Sequence, residues 1–385
     1  MTGVLSGAGR GVHWRISDAA TRSGVESDRD PRPFHRRLPH YEETPLIDVP
    51  ALAERLGVRR IVVKLESDRL GLPSFKILGA SWATLRLLEE RLGASLTECG
   101  SIEEMGRALE SLKPLTLVAA TDGNHGRAVA RVARWLGLEA SILVPADMAD
   151  ARRRALIDEG ATVTVVDGPY DAAVEASKSV GPGELVVSDT SWAGYETVPR
   201  WIIDGYATIF AEIDEQLSLM SMAGPDVVAV QVGVGALAAA VIDHYPAPET
   251  RIVAVEPERA DCVARSITAG RPVSLPGGQD SIMAGLNCGT PSHVAWKELA
   301  TGLDATVVID DDWAREGVRA LARAGVVVGE SGAAGLAGLM ALREQAPPEV
   351  CAAAGLRSDA SVLLLATEGA TDPDAWTEIV EPSHL

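Results

Sequence analysis

The chemistry of this chain centres on a lysine placed where a lysine is costly. In Leu70-Gly71-Leu72-Pro73-Ser74-Phe75-Lys76-Ile77-Leu78-Gly79-Ala80 a Gly/Pro turn leads into an amphipathic run. Leu78, Trp82, Leu85, Leu88 and Leu92 keep the spacing of a buried helical face, which puts Lys76 on the first turn, pointing inward. A buried amine is unfavourable unless it is paired, deprotonated or covalently bound. The chain holds only five lysines (Lys64, Lys76, Lys113, Lys178 and Lys297) among its 35 basic residues. Arginine carries most of its positive charge, so a lysine kept on an apolar face points to amine chemistry: a lysine with a lowered pKa forms a Schiff base and arginine does not. The competing reading is a lysine that snorkels from a helix start.

Four other stretches follow predicted strands. Gly233-Val234-Gly235-Ala236 opens a helix, where glycines and a helix N-terminus suit a phosphate. It is equally a plain strand-to-helix turn, and the sixth position of a dinucleotide fingerprint is Ala238 rather than glycine. Thr121-Asp122-Gly123-Asn124-His125-Gly126 offers backbone donors, an amide and an acid, or else ordinary helix caps. Asp189, in Ser188-Asp189-Thr190-Ser191-Trp192, is a turn residue or a site acid, and Thr367-Glu368-Gly369 places a hydroxyl past the last strand. Ligand crevices of open α/β sheets form at such carboxyl ends.

The elements that must hold these residues alternate. Apolar strands at 115–119, 139–144, 162–166 and 185–187 interleave with helices at 124–136, 148–159 and 170–180. A second block has strands at 60–66, 227–232, 251–256, 305–309 and 361–366, so two open, mostly parallel α/β sheets are expected, with the Lys76 helix near their junction. On strand 60–66 Lys64 is expected to face solvent. Residues 1–43 mix Arg, Asp, Ser, Gly and Pro without lasting periodicity and are expected to form a flexible arm. At 385 residues the chain has room for two domains. A net charge of −19 without a basic patch argues against nucleic acid. No apolar run reaches a membrane span and the N-terminus lacks a signal-peptide core, so no membrane association and a cytoplasmic location are expected. Four cysteines without C-x-x-C spacing and seven scattered histidines predict no metal site.

Together, S-F-K, T-D-G-N-H-G, G-V-G-A and T-E-G-A-T-D resemble the fold type II pyridoxal-phosphate enzymes, the tryptophan synthase β-like group. Within that group, Asp122 and the string Asp189-Thr190-Ser191-Trp192-Ala193-Gly194-Tyr195-Glu196 resemble the diaminopropionate ammonia-lyases, whereas the similar serine and threonine dehydratases usually have serine at the position of Asp122. The resemblance implies two three-layer α/β domains. The larger, cofactor-binding one would take residues 44–80 and 190–385, and the smaller, inserted one residues 81–189. It implies pyridoxal 5'-phosphate bonded to Lys76 and its phosphate held by Gly233, Val234, Gly235, Ala236 and Leu237. Asn124 would meet the ring oxygen and Thr367 the pyridine nitrogen. Thr121 with its neighbouring backbone would bind the substrate carboxylate, and Asp122 and Asp189 would act as bases for the D and L enantiomers. It further implies a homodimer, and a disulfide between Cys262 and Cys288 that competes with two free thiols. The implied reaction is α,β-elimination from either enantiomer of 2,3-diaminopropionate, giving pyruvate and ammonia. The alternatives are a serine/threonine dehydratase of the same fold, a dinucleotide-binding protein built on the Gly233 turn, and a catalytically inert binding protein.

Overall fold

Strands that are largely apolar and buried along their whole length must be covered on both faces. Val227–Gln231, Ala305–Ile309 and Ser361–Ala366 are such strands, buried at every residue. The computed structural model, which describes residues 4–17, 22 and 29–381, places them inside one large sheet. In chain order the elements used below begin with β1 (Val4–Gly9), β2 (Val12–Ser17), β3 (Leu46–Asp48), β4 (Arg60–Leu65), α1 (Lys76–Leu92) and β5 (Thr116–Ala120). Next come α2 (Asn124–Leu136), β6 (Glu139–Pro145), β7 (Thr162–Val166), α3 (Tyr170–Ser177), β8 (Glu184–Val186) and α4 (Thr197–Gly205). They are followed by α5 (Ala207–Leu219), β9 (Val227–Gln231), α6 (Ala236–His244), β10 (Arg251–Pro257) and α7 (Cys262–Ala269). The last are β11 (Ala305–Ile309), α8 (Glu330–Gln345) and β12 (Ser361–Ala366).

The eight-stranded sheet has the order β1-β2-β11-β10-β9-β12-β4-β3, and a four-stranded sheet has the order β7-β6-β5-β8. The small sheet is parallel throughout. In the large one β11, β10, β9, β12 and β4 are parallel, and the antiparallel pairings lie at its two sides. Helix α8 is buried from Glu330 to Leu342. A Cβ at Gly338 would lie 2.6 Å from Val255 of β10, and one at Gly335 would lie 3.1 Å from the Ala229 carbonyl of β9, so the helix seats directly on the sheet. Among the described residues no helix is long and apolar enough to cross a membrane.

Two expectations fail here. The flexible arm expected over 1–43 does not describe residues 4–17, which form the β1–β2 hairpin. Val12, Trp14 and Ile16 of β2 pair with Ile309, Val307 and Ala305 of β11 and are buried. The alternation in Val12-His13-Trp14-Arg15-Ile16 is short, and the edge that stabilises it lies almost 300 residues downstream. Phe34 is also ordered, packing 5.9 Å from the Trp82 ring. Residues 1–3, 18–21 and 23–28 of that segment lie outside the described residues. Lys64 does not face solvent either. Its side chain is completely buried, with its ammonium bonded to the Thr44 carbonyl and to Glu212 of α5.

Candidate active site

Lys76 is held by the close crossing of α1 and α4. A Cβ on Gly205 would lie 2.7 Å from the Leu78 carbonyl oxygen, and one on Gly79 would lie 2.7 Å from the Tyr206 ring. Larger residues at either position would push the helix that carries the lysine away. The Lys76 ammonium donates to Asp189 Oδ2 at 2.6 Å. Burial alone would lower the lysine pKa, but Asp189, Tyr206 and Asp122 outweigh it and raise it. Asp189 is also pushed up by burial, but the Lys76 ammonium outweighs that and holds it at about 2. Tyr170 of α3 donates to the other Asp189 oxygen at 3.4 Å.

The loop that carries Asp189 is braced. The Tyr195 hydroxyl donates to the Val186 carbonyl at 2.8 Å and accepts the Ser188 N–H at 3.1 Å, while its ring stacks on Trp192. Ser191 accepts the Val294 N–H, and the Ser292 N–H binds the Val234 carbonyl. The Asp189 string is thereby tied to the glycine turn.

At the end of β5, Thr121 Oγ1 accepts the N–H groups of Gly123 and Gly126, each at 2.9 Å, and so shapes the loop. Asp122, Asn124 and Asp189 line a cleft with Lys76, Gly233 to Leu237 and Thr367. Thr121 is the one predicted site residue outside that lining; its side chain is turned into the loop. Asp122 is raised to about 6, first by burial, against the lowering pull of Lys76 and Arg152. His125 Nε2 faces the Val187 carbonyl at 2.7 Å and must therefore carry the proton. Its Nδ1 is buried without a hydrogen-bond partner among the described residues, 4.0 Å from Asp189.

Gly235 caps α6 with φ +101°, a left-handed conformation that favours glycine. The first N–H groups of α6 have no partner within the helix and face the turn. A Cβ at Gly233 would lie 3.1 Å from Cys288 Sγ, and the Cys262 thiol lies 3.8 Å from the Gly233 carbonyl. Both cysteines are free thiols in this structure. Past β12, Glu368 accepts Asn124 Nδ2 at 2.6 Å and the Ser331 N–H at 3.2 Å, joining the asparagine loop to the start of α8. Gln231, at the end of β9, donates to Thr367 Oγ1 at 2.5 Å, and its own amide oxygen is buried without a partner among the described residues.

Sequence reasoning assigned no role to Tyr170, Gln231, Gly285 or Leu286, which also line the cleft. Gln231 ends β9 and Tyr170 follows β7 by a short loop, whereas Gly285 and Leu286 lie in the Gly-, Pro- and Ser-rich stretch 266–291 between β10 and β11, whose composition alone marks a functional loop. The residues present suit pyridoxal phosphate. There is one amine, a glycine cradle that a Cβ would fill, a neutral hydroxyl backed by an amide with a buried free oxygen, and two acids near the amine.

Comparison with known proteins agrees. The family described as Pyridoxal-phosphate dependent enzyme matches residues 37–355. Diaminopropionate ammonia-lyase of Escherichia coli is 38% identical over 364 residues, covering 91% of this chain and 90% of that protein. The crystal structure of that lyase in complex with D-serine superposes with a TM-score of 0.89 at 33% identity, covering 99% of this chain and 98% of the other. Its structure with an aminoacrylate-PLP azomethine reaction intermediate gives 0.87 at 34% identity, with the same coverage. The chain therefore belongs to the pyridoxal-phosphate dependent enzymes, in the group of the diaminopropionate ammonia-lyases.

Proposed function

We propose that the chain catalyses pyridoxal-phosphate-dependent α,β-elimination of 2,3-diaminopropionate, in both enantiomers, to pyruvate and ammonia. The observation that carries this reading is the presence of two acids of opposite poise, Asp122 and Asp189, in one cleft with Lys76. Bound there, the cofactor supplies the electron sink for the bond broken at the substrate Cα. The chain supplies binding, orientation and proton transfer. Lys76 is the covalent anchor. The N–H groups of Gly233, Val234, Gly235, Ala236 and Leu237 take the phosphate. Asn124 offers its amide to the ring oxygen and Thr367 its hydroxyl to the ring nitrogen.

Thr121 shapes the loop whose backbone N–H groups receive the substrate carboxylate. Asp122 and Asp189 each accept the Cα proton of one enantiomer, which accounts for indifference to configuration, and one of them anchors the β-ammonium group before it departs. A serine at position 122 would leave the cleft with Asp189 as its one aspartate, so the second carboxylate favours the diamino substrate over serine or threonine. The same reading divides the chain into a large cofactor domain, 44–80 with 190–385, and a smaller inserted one, 81–189. It makes the enzyme a cytoplasmic homodimer, the oligomeric state being open to light scattering.

The test is product release by cofactor-loaded protein offered D- and L-2,3-diaminopropionate, L-serine and L-threonine separately. Pyruvate from both diaminopropionate enantiomers is expected. Turnover of serine or threonine alone would overturn the substrate assignment, and failure of Lys76 to bond the cofactor would overturn the whole reading.

A further inference from the structure

We infer that Gln231 is a positioning residue that commits the Thr367 hydroxyl proton to the cofactor's ring nitrogen and so keeps that nitrogen unprotonated. The inference rests on the reading above, in which Thr367 meets that nitrogen.

Strands β9 and β12 are parallel neighbours, with Leu364 opposite Ala229, so their C-terminal ends deliver residues 231 and 367 side by side. Both are at least nine-tenths buried, Gln231 at 4% exposure and Thr367 at 5%, and both line the cleft. The Gln231 amide nitrogen lies 2.8 Å from the Leu365 carbonyl and 2.5 Å from Thr367 Oγ1. A backbone carbonyl only accepts, so the group facing it is the NH2, and the orientation of the amide follows from chemistry. One hydrogen goes to Leu365 and the other to Thr367. The threonine oxygen is then an acceptor on its buried side, and its own proton is left to donate elsewhere. A hydroxyl that already accepts one hydrogen bond is polarised into a better donor. The partner it suits is a ring nitrogen with its lone pair free.

The neighbouring acid does not perform this task. Glu368 accepts from Asn124 and from the Ser331 N–H. The unpartnered amide oxygen of Gln231 supports the argument as well. A buried oxygen without a partner is costly. A methionine or leucine would fill the same space without that cost, so it is the nitrogen that the site needs. A glutamate would reverse the polarity: its carboxylate would accept a hydrogen bond from the Thr367 hydroxyl, which would then turn its lone pairs toward a protonated ring. The consequence for selectivity is direct. An unprotonated ring would be the weaker electron sink, which would favour loss of the β-group over return of a proton to Cα.

The experiment loads wild type, Gln231→Glu and Gln231→Met with cofactor labelled with 15N in the ring and records the nitrogen resonance. Visible absorption checks covalent attachment at Lys76, and racemisation of unreacted substrate is counted per turnover. Wild type is expected at the unprotonated position. Gln231→Glu is expected to move most of the way toward the free cofactor's protonated position, with racemisation rising severalfold. Gln231→Met, which keeps the shape, is expected to show a smaller move in the same direction. Loaded variants with the wild-type resonance, or a wild type already protonated, would overturn the inference and leave the reaction assignment intact. Absence of covalent cofactor in wild type would overturn both. If Gln231→Glu does not fold, Gln231→Met decides by the same resonance.

Discussion

Two lysines twelve positions apart, one fully buried and one reaching into a cleft, show what separates a structural charge cluster from a catalytic one. Lys64 sits in a closed network. Its ammonium reaches the Thr44 carbonyl at 2.6 Å and Glu212 at 2.7 Å, and Arg69 binds Glu66 at 2.6 Å and Glu212 at 2.7 Å, all four charged side chains being fully buried. Two cations face two carboxylates. Burial dominates and lowers the Lys64 pKa, while the Arg69 bonds outweigh burial at Glu212 and hold it at about 2. Lys76 sits in an unbalanced cluster. Its side chain is 20% exposed and its bonded carboxylate is Asp189, while Asp122 nearby stays at about 6 and Glu368 is engaged elsewhere. The first cluster has no capacity left for a ligand. The second has more acid than base, a neutral histidine and a cleft, and that surplus is what can be spent on a substrate.

The sharpest break of this comparison is Lys76→Ala. Turnover is expected to fall by about 10³-fold or more, with covalent cofactor lost from the absorption spectrum and the unfolding midpoint little changed. Glu212→Ala should do the reverse. It takes the bonded carboxylate from buried Lys64 and leaves Arg69 with Glu66 alone, and should cost about 3–5 kcal/mol in denaturant unfolding, while the folded fraction keeps its turnover per bound cofactor. Asp122→Asn is expected to cut turnover of one diaminopropionate enantiomer by about 10²-fold with the cofactor still loaded; equal loss for both enantiomers would remove the division of labour between the acids.

The smallest effect is in pH dependence, where the two clusters should have opposite signs. Glu212 at about 2 lies below its unfolded value, so its stabilisation is complete above about 4.5 and is lost as pH falls through 2. Asp122 at about 6 lies above its unfolded value, so its contribution is present below about 4 and is lost as pH rises through 6. Melting temperatures of cofactor-free protein between pH 3 and 7 should therefore flatten on the upper side in Asp122→Asn and on the lower side in Glu212→Gln.

Much of this was readable from the chain because the signals are local. Runs such as Val227-Val228-Ala229-Val230 and Ser361-Val362-Leu363-Leu364-Leu365 announce buried parallel strands, and the site motifs sit directly after them. The misreadings share one cause, a partner far away in sequence. Lys64 looks like an outward strand residue until Glu212, 148 positions on, supplies its counter-charge. Val12, Trp14 and Ile16 look like a fragment of a tail until β11 offers an edge. Gln231 reads as the polar end of a strand, and its meaning depends on Thr367, 136 positions away. Thr121 was legible as a member of its motif, but its inward turn depends on the N–H groups of Gly123 and Gly126.

The β1–β2 hairpin has a practical consequence for anyone who shortens this chain. A truncation that treats the first seventeen residues as dispensable would strip β2 from β11 and leave Ala305-Thr306-Val307-Val308-Ile309, a stretch buried at every position, as the rim of the large sheet. Such a rim carries unpaired N–H and C=O groups along an apolar β-branched run, the kind of template on which identical chains stack edge to edge. The shortened protein would be expected to precipitate from concentrated solution with its catalytic residues intact, and the loss would pass for inactivity in any assay that did not first weigh the pellet.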